Sequence, residues 1–480
     1  MSTETPLVEG LRQKWQPVIE HADLPDIQDS YRKNVTAILL ENQEKALREE
    51  ANVSGVDSVF SDTSGNFNSV SGFNPVLISL VRRSMPNLIA YDVCGVQPMS
   101  GPTGLIFAMK AKFTAQGSAE ALFNEAPTAF GATVGGAAGA TQSGAGFPSF
   151  GGTGDPLGNV SRSGSTTGYS AGLGSTSATI DVDPGAPTSF FEGNNTFGEM
   201  AFAIDRQSVV AKTRALKAEY TSELAQDLKA VHGLDAETEL ANILSAEILA
   251  EINREVIRSI YRGAKLGCQQ RDLTFKSSGA TVPIAGDAVN GGGVYDVQLD
   301  SDGRWSAEKF RGLMFQIDRE ANVIAKETRR GKGNFIICTS DVASALAMSG
   351  FLNLTPTPNI DLEVDDTGNT FAGTLNGKIK VYIDPYSVSG ADYITVGYRG
   401  TSPYDAGMFY CPYVPLQMVR AVNETNFQPK IGFKTRYGMV NNPYVSDGSN
   451  LSDPLAAAAA RSNQYYRIFR VLNLHGNGTP

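Results

Sequence analysis

The composition of this 480-residue chain excludes several classes of protein. Its 40 Lys and Arg against 50 Asp and Glu give a formal net charge of −10. This balance argues against sequence-specific nucleic-acid binding, because gripping phosphates needs clustered basic side chains. No apolar run approaches the length that crosses a bilayer, and the first residues lack the apolar core of a secretion signal. We therefore expect an intracellular protein without a membrane partner.

The residues that usually carry chemistry are sparse and scattered. Three histidines are spread over the whole chain, and no Gly-rich phosphate loop leads into a Lys and a Ser or Thr. The four cysteines lie far apart and in no metal-binding spacing, which favours buried free thiols. They are Cys94, Cys268, Cys338 and Cys411. The sequence thus predicts no catalytic constellation, no metal site and no cofactor.

The N-terminal 49 residues predict short amphipathic helices. Ile27, Tyr31 and Ile38 recur at helical spacing, and residues 41–50 are charged and rich in helix formers. The composition then changes abruptly to Ser, Gly and Asn. We expect a boundary at Ala51 and an extended or flexible arm over residues 51–74.

A long hairpin is predicted next. Apolar residues after Gly104 indicate one strand, and residues 198–212 alternate like its returning partner. Between the two, residues 131–178 are rich in Gly, Ala, Ser and Thr. Such a segment cannot bury enough apolar area to form an ordinary core, so we interpret it as a surface insertion in the hairpin.

The strongest pattern runs over residues 235–262. Apolar side chains recur every fourth position from Leu240 to Ile260, which predicts an amphipathic helix capped by Asp235 and ended by a left-handed Gly263. Its polar side carries an acidic and a basic row, which are Glu247, Glu251 and Glu255, and Arg254, Arg258 and Arg262. Like charges repel within each row. A solvated face is the plain interpretation, and a strut whose charges meet neighbouring subunits is the sharper one.

The remaining sequence predicts an α+β protein, with a sheet flanked by helices. A second helix is expected over residues 307–328 and a buried strand over residues 334–340. Asp341 is expected to cap a further helix. Four more strands, separated by Pro and Gly turns, are expected between residues 377 and 440.

Two other functions fit single features. Cys338, beside a strand, is a candidate nucleophile for an enzyme, although a buried structural thiol is the commoner role. The Gly-rich insertion is a candidate host-surface binding module. A basic run of Arg329, Arg330 and Lys332 is a candidate phosphate site, for which a solvated helix end is the plain interpretation.

Several long stretches resemble the major capsid proteins of T-even-type tailed bacteriophages, which have the HK97-like phage capsid fold. They are residues 80–104, 216–256, 315–325, 377–386 and 426–438. The resemblance covers most of the chain outside the Gly-rich insertion and the C-terminal tail.

This resemblance implies a division of the chain. It assigns residues 1–49 to a removable segment that contacts an internal scaffold through the face of Ile27, Tyr31 and Ile38, and 50–74 to an N-arm. The other implied parts are a peripheral domain start (75–103), an extended loop (104–221) with an insertion at about 114–198, a peripheral domain (222–332) with the long helix as its spine, an axial domain (333–410), and a returning peripheral strand with a C-terminal tail (411–480).

The resemblance also implies a function and partners. We expect a non-enzymatic protein that self-assembles into hexamers, and into pentamers if it fills the vertices, to form an icosahedral or prolate head shell around double-stranded DNA. The implied partners are further copies, a vertex protein, an internal scaffold, a maturation protease, a portal and decoration proteins. Assembly is expected in the host bacterial cytoplasm, and the final location is the virion.

The family's maturation protease cuts after Glu in the pattern Leu or Ile, any residue, Glu. The matching segments are residues 7–9, 39–41, 47–49 and 249–251. Since a protease needs an accessible segment, the match beside the predicted arm is favoured. We expect the cut after Glu49, which makes Glu50 the new N-terminus.

Overall fold

The computed structural model describes thirteen parts of the chain. They are residues 6–20, 27, 29–53, 88–117, 120–121, 197–268, 293–298, 301, 305–353, 370–386, 392–422, 428–442 and 461–474. The chain divides into two compact units, Met1–Leu105 with Ser208–Pro480, and Ile106–Gln207. The predicted arm beyond residue 53 and the Gly-rich insertion lie outside the described residues.

The described residues contain seven helices. They are α1 (Pro6–Ile19), α2 (Ser30–Val53), α3 (Ala90–Val93), α4 (Ser222–His232), α5 (Ala236–Gly263), α6 (Ser306–Thr328) and α7 (Ser340–Met348). α5 is the predicted long helix. Its N-cap is Asp235, as predicted, and the Asp235 carboxylate accepts the Glu237 N–H at 3.4 Å.

Fifteen strands are described. They are β1 (Gly95–Val96), β2 (Thr103–Phe113), β3 (Glu120–Ala121), β4 (Met200–Val210), β5 (Lys212–Glu219), β6 (Ala264–Leu266), β7 (Val294–Asp296), β8 (Phe335–Cys338), β9 (Leu352–Asn353), β10 (Thr370–Leu375), β11 (Ile379–Ile383), β12 (Asp392–Gly397), β13 (Met408–Val422), β14 (Pro429–Asn441) and β15 (Asn463–Leu472).

A mixed eight-stranded sheet organises the first unit. Its order is β6-β15-β12-β8-β11-β10-β9, with β7 also paired to β15. β8 is parallel to β11 and antiparallel to β12, so it lies inside the sheet. Together with the helices, this sheet confirms the α+β class expected from the sequence.

The sheet separates two hydrophobic cores, and β8 shows why. Phe335 and Ile337 belong to the core that contains the apolar side of α5. Ile336 and Cys338 belong to the core that contains α6 and α7. Because successive strand residues face opposite sides, a strand covered on both faces must be apolar throughout, as β8 is.

A second sheet lies in the same unit, in the order β1-β13-β14-β5. β13 and β14 form a long antiparallel pair, and β5 pairs with β14 from Lys212 to Glu219. Both α2 and α5 contact this sheet, α2 through β13 and α5 through β5 and β14.

The second unit contains the predicted hairpin. β2 lies between β3 and β4 in a three-stranded sheet. The Thr114 N–H donates to the Glu199 carbonyl at 2.8 Å, next to the end of β2 and the start of β4. β4 is therefore the returning strand, as its alternating sequence predicts.

Two predicted helix boundaries are wrong. Gly263 does not end α5 in a left-handed turn, because α5 includes it and the extended backbone of Ala264 (φ −61°, ψ 134°) leads directly into β6. α7 is capped at Thr339 and not at Asp341, which lies in its first turn. The Thr339 hydroxyl bonds to the Asp392 carboxylate at 2.9 Å.

The strand β15 is absent from the sequence prediction, which treats this part of the chain as a tail. Its residues from Tyr466 to Val471 pair with the whole of β12, and β6 and β7 pair with it on the other side. Arg467 lies in β15 with 4% of its surface exposed and pairs with Glu320 at 3.3 Å and with Glu327. The segment is rich in Tyr, Phe, Ile and Val, a strand signal that was available in the sequence.

Truncating Phe469 in β15 tests whether this strand is part of the core. Phe469 is 1% exposed, so the variant Phe469→Ala is expected to lower the free energy of unfolding by about 3–5 kcal/mol. Urea unfolding followed by tryptophan fluorescence measures the change. The control Gln464→Ala, at a half-buried position of the same strand, is expected to cost less than about 1 kcal/mol. Equal small losses in both variants would contradict the core role of β15.

Candidate functional site

The acidic row of α5 is paired within the chain. Arg214 of β5 donates from Nη1 to Glu251 at 2.8 Å and from Nη2 to Glu255 at 2.5 Å. Its Nε donates to the hydroxyl of Tyr437, which in turn donates to Glu255. One guanidinium therefore bridges two carboxylates of the row and reduces their repulsion. Burial alone would lower the pKa of Arg214, but Tyr437 and the two carboxylates raise it above its usual value.

The basic row is paired in part by a residue far away in sequence. Arg254 Nη1 contacts both carboxylate oxygens of Asp384, at 2.7 and 2.8 Å. Asp384 is fully buried directly after β11, where it also accepts from the Tyr261 hydroxyl at 2.9 Å and the Tyr386 N–H at 3.0 Å. Burial alone would lower the pKa of Arg254, and the hydrogen bonds and charge of Asp384 raise it instead.

The sequence predicts that both rows meet neighbouring subunits, but these pairs leave fewer residues of the rows available for such contacts. Glu251, Glu255 and Arg254 have partners in the same chain that lie outside α5. Their partners are Arg214, on β5, and Asp384, directly after β11, and the sequence pattern connects neither residue to the helix. The other members of the rows are exposed on α5, and they are Glu247, Arg258 and Arg262.

An apolar face of the hairpin is open to solvent in the single chain. Phe107 of β2 is 61% exposed, and Met200, Phe202 and Ile204 of β4 are 56%, 69% and 64% exposed. The three residues of β4 alternate with less exposed neighbours, so they share one face of the strand. Large apolar side chains grouped in this way are typical of protein–protein contact sites.

The N-terminal helices pack on the body of the chain. Tyr31 packs against the main core, and its hydroxyl donates to the Val96 carbonyl. Ile27 is buried and Ile38 is half-buried. Part of the face expected to bind a scaffold is therefore occupied by the chain itself. The helical prediction for this segment is confirmed.

The expected cleavage residues lie on a helix. α2 continues to Val53, so Glu49 and Glu50 are in its last two turns, whereas the expected boundary was Ala51. The helix-forming composition of the preceding residues extends the helix past that boundary. A protease that cuts there must first open the end of α2.

The candidate nucleophile is inaccessible. Cys338 is fully buried, and burial together with the charge of Asp384 raises its pKa to about 12. Since the thiolate is the reactive form, this environment is that of an inert structural thiol. The three other cysteines are also free and buried, as predicted.

Three further features bear on the alternative functions. Lys332 of the basic run pairs with Asp318 at 2.5 Å, and Arg329 ends α6 in a left-handed conformation. Within the described residues, no group of three or more His, Cys, Asp or Glu side chains is placed to hold a metal ion. None of the described helices is long and apolar enough to cross a membrane.

Removing Arg254 tests how much the single chain depends on the charges of α5. The variant Arg254→Ala leaves the buried carboxylate of Asp384 without its cation, and we expect a loss of about 3 kcal/mol in the free energy of unfolding. Urea unfolding measures it. The matched control is Arg258→Ala, an exposed position on the same helix, with an expected change within about 0.5 kcal/mol. If both variants lose the same small amount, the ion pair does not hold α5 on the sheet.

Comparison with known protein families places these features in context. The family model described as major capsid protein Gp23 matches residues 70–471. The major capsid protein of Salmonella phage ViI is 39% identical over 485 residues, covering 97% of this chain and 98% of the relative. That of Enterobacteria phage T4 is 37% identical over 504 residues, covering 92% of each chain. The capsid vertex protein of Enterobacteria phage T4 is 28% identical over 274 residues, covering 54% of this chain and 57% of the relative.

Solved capsid structures also match. The capsid of Myoviridae Phage XM1 covers 80% of this chain and 92% of its own, with a TM-score of 0.36 and 10% identity. The capsid of an empty GTA particle covers 80% and 90%, with a TM-score of 0.34 and 11% identity. With TM-scores below 0.5, these structures do not contribute to the family assignment, which depends on the family model and the sequence relatives. On those grounds the chain belongs to the Gp23 family of major capsid proteins.

Proposed function

We propose that this chain self-assembles, as hexamers of identical copies, into the head shell of a tailed phage that encloses double-stranded DNA. Family membership supports the shell, and the open apolar face of the β2–β4 hairpin supports assembly through copies of the same chain. The expected HK97-like architecture fits a long helix lying on a mixed sheet. The net charge of −10 suits a shell that does not grip the packaged genome.

The exposed apolar face of the hairpin is the main observation that supports the assembly mechanism. Burying a large apolar side chain stabilises by roughly 1.5–3 kcal/mol. The four residues are each about 60% exposed, so they offer on the order of 4–8 kcal/mol of gross stabilisation to a partner that covers them. In a shell of identical subunits that partner is a second copy, since homo-oligomers present the same surfaces on each subunit.

The charged face of α5 has a smaller part in this mechanism. Only its exposed members, Glu247, Arg258 and Arg262, are free to meet a neighbouring subunit. Exposed ion pairs are each worth under about 1 kcal/mol, so they tune orientation more than affinity. Apolar contact supplies most of the assembly energy.

Other expected components belong to the same proposal. The similarity to a capsid vertex protein supports a division in which a related chain fills the vertices and this chain forms the hexamers. An internal scaffold, a maturation protease, a portal and decoration proteins complete the set of partners, with assembly in the host cytoplasm. The division into a removable segment, N-arm, extended loop, peripheral and axial domains keeps the boundaries expected from the sequence. Neither the Cys338 enzyme nor the host-surface module is supported by the family match.

A charge placed on the hairpin face tests assembly through that face. The variant Phe202→Asp is expected to abolish shells and tubes, because a buried unpaired carboxylate costs more than the contact gains. Unfolding of the single chain is expected to change by less than about 1 kcal/mol, since Phe202 is exposed there. Sedimentation and negative-stain microscopy measure assembly. The control Asn242→Asp adds the same charge at an exposed site on α5 and should assemble normally. Normal shells from Phe202→Asp would refute the hairpin contact.

The N-terminus of mature particles tests the cleavage site. Residues 1–49 carry six Lys or Arg and nine Asp or Glu, so their loss changes the formal net charge from −10 to −7 and reduces repulsion between packed subunits. Mass spectrometry of mature shells is expected to find Glu50 as the first residue. The variant Glu49→Gln should block the cut, while Glu44→Gln should not. An intact Met1 or Ser2 in mature shells would end the proposal.

A further inference from the structure

The N-terminal helices are built into the core of the chain. Residues of both helices are buried in the same hydrophobic cluster as residues of α3, β1 and β13. On the helices these are Trp15, Ile19, Val35, Leu39 and Leu40, and on the body they include Leu88, Tyr91, Val96 and Tyr410. A segment that is discarded during maturation is therefore not a loose appendage beforehand.

Hydrogen bonds hold the same interface. The side-chain amide of Asn42, itself 6% exposed, donates to the Met99 carbonyl at 2.8 Å and to the Tyr413 carbonyl at 3.0 Å. The Val96 carbonyl accepts from Tyr31. Three backbone carbonyls of the body thus depend on side chains of α2 for these hydrogen bonds.

Electrostatic contacts add to them. Arg32 donates to Asp92 at 2.9 Å, and its guanidinium lies 5.5 Å from the centre of the Tyr91 ring. Without Arg32, the remaining cation near Asp92 is Lys380, at 3.9 Å. The surface under α2 therefore combines apolar area, carbonyl acceptors and a carboxylate.

The two helices also hold each other. Lys14 of α1 pairs with Glu41 at 2.7 Å and Glu44 at 2.6 Å on α2, and Trp15 Nε1 donates to Glu41 at 3.2 Å. Burial alone would raise the pKa of Glu41, but hydrogen bonds from Lys14 and Trp15 lower it. α1 and α2 behave as one piece, and both would leave the body together.

Cleavage after Glu49, in the last two turns of α2, does not by itself break this interface, because the contacts described above lie between Lys14 and Glu44. Hydrolysis adds one water across one peptide bond and leaves every side-chain contact in place. Dissociation, in contrast, would expose a large apolar area and remove the donors of three carbonyls at once. A cut and a release are therefore separate events.

We propose that the severed N-terminal piece stays bound to its own chain until a second copy of this chain replaces it on the surface under α2. The inference rests on the proposed function, which supplies the cut and places copies side by side. The replacing surface must be apolar, must donate N–H or O–H groups to the carbonyls of Val96, Met99 and Tyr413, and must bring a cation to Asp92. Loss of the segment is in this way coupled to contact between subunits.

A site-specific protease sequence inserted directly after Val53 in the full-length chain tests the proposal. Cutting unassembled chains should give a fragment that co-elutes with the body in native gel filtration and separates only in denaturant. Cutting assembled shells with the same protease should release the fragment from the shell. Separation from unassembled, still folded chains would overturn the retention. If one fragment per subunit stays on the cut shells, the proposed replacement by a second copy is wrong.

Variants of α2 make the retention specific. Leu39→Ala and Asn42→Ala are expected to weaken binding of the fragment, the Leu39 change by about 30-fold or more. Lys45→Ala, at an exposed position of the same helix, should leave it unchanged. Equal retention in all three variants would show that the described interface does not hold the fragment. If no shells form at all, the proposed function fails, while the unassembled chains still decide whether the fragment is retained.

Discussion

The fully buried carboxylate of Asp384 is the constraint on which the rest of the structure depends. A buried charge must be compensated, and the compensation comes from Arg254 and from the Tyr261 hydroxyl, about two turns further along the same face of α5. Since Asp384 follows β11 directly, the pair fixes where the long helix lies on the eight-stranded sheet. The guanidinium of Arg214 does the same between α5 and the second sheet. Apolar packing supplies the stability, and these two arginines fix the position of α5 on the two sheets.

The two kinds of surface on the chain therefore have opposite uses. Three of the six charges in the two rows of α5 are paired inside the subunit, where low dielectric makes them costly to leave unpaired. The apolar face of the hairpin is exposed to solvent, so it contributes stabilisation only when a partner covers it. This arrangement suits a shell protein. The paired charges stabilise the single subunit, and the exposed apolar face favours association with other subunits.

Much of the fold could be predicted from local pattern. The period of 3.6 located α5 and α6, and alternation located β4. Apolar residues after Gly104 located β2, and strand-like segments separated by Pro and Gly turns located the strands from β11 to β14. The ends of the elements were harder to predict. Gly263 belongs to α5, and β6 begins at the next residue, whose pairing with β15 is not visible in the composition. β15 was missed although its aromatic and β-branched residues signalled a strand, because the resemblance assigned this part of the chain to a C-terminal tail.

The candidate site was harder to predict than the fold. The charged rows of α5 were correctly found, but their partners Arg214 and Asp384 are 37 and 130 residues away in sequence. Only the packed structure brings them to the helix. The same holds for Asn42, whose two carbonyl partners lie in separate parts of the body. The residue types indicated that the charges of α5 needed partners, and the topology determines which residues those partners are.

Cryo-electron microscopy of assembled particles, at a resolution that shows side chains, tests the central claim most directly. The account predicts Phe202 and Ile204 buried against a second copy, with Arg254 on Asp384 and Arg214 on Glu251 and Glu255 inside each subunit. Shells in which the hairpin face is solvent-exposed, while Arg254, Glu251 and Glu255 pair across subunits, would contradict it.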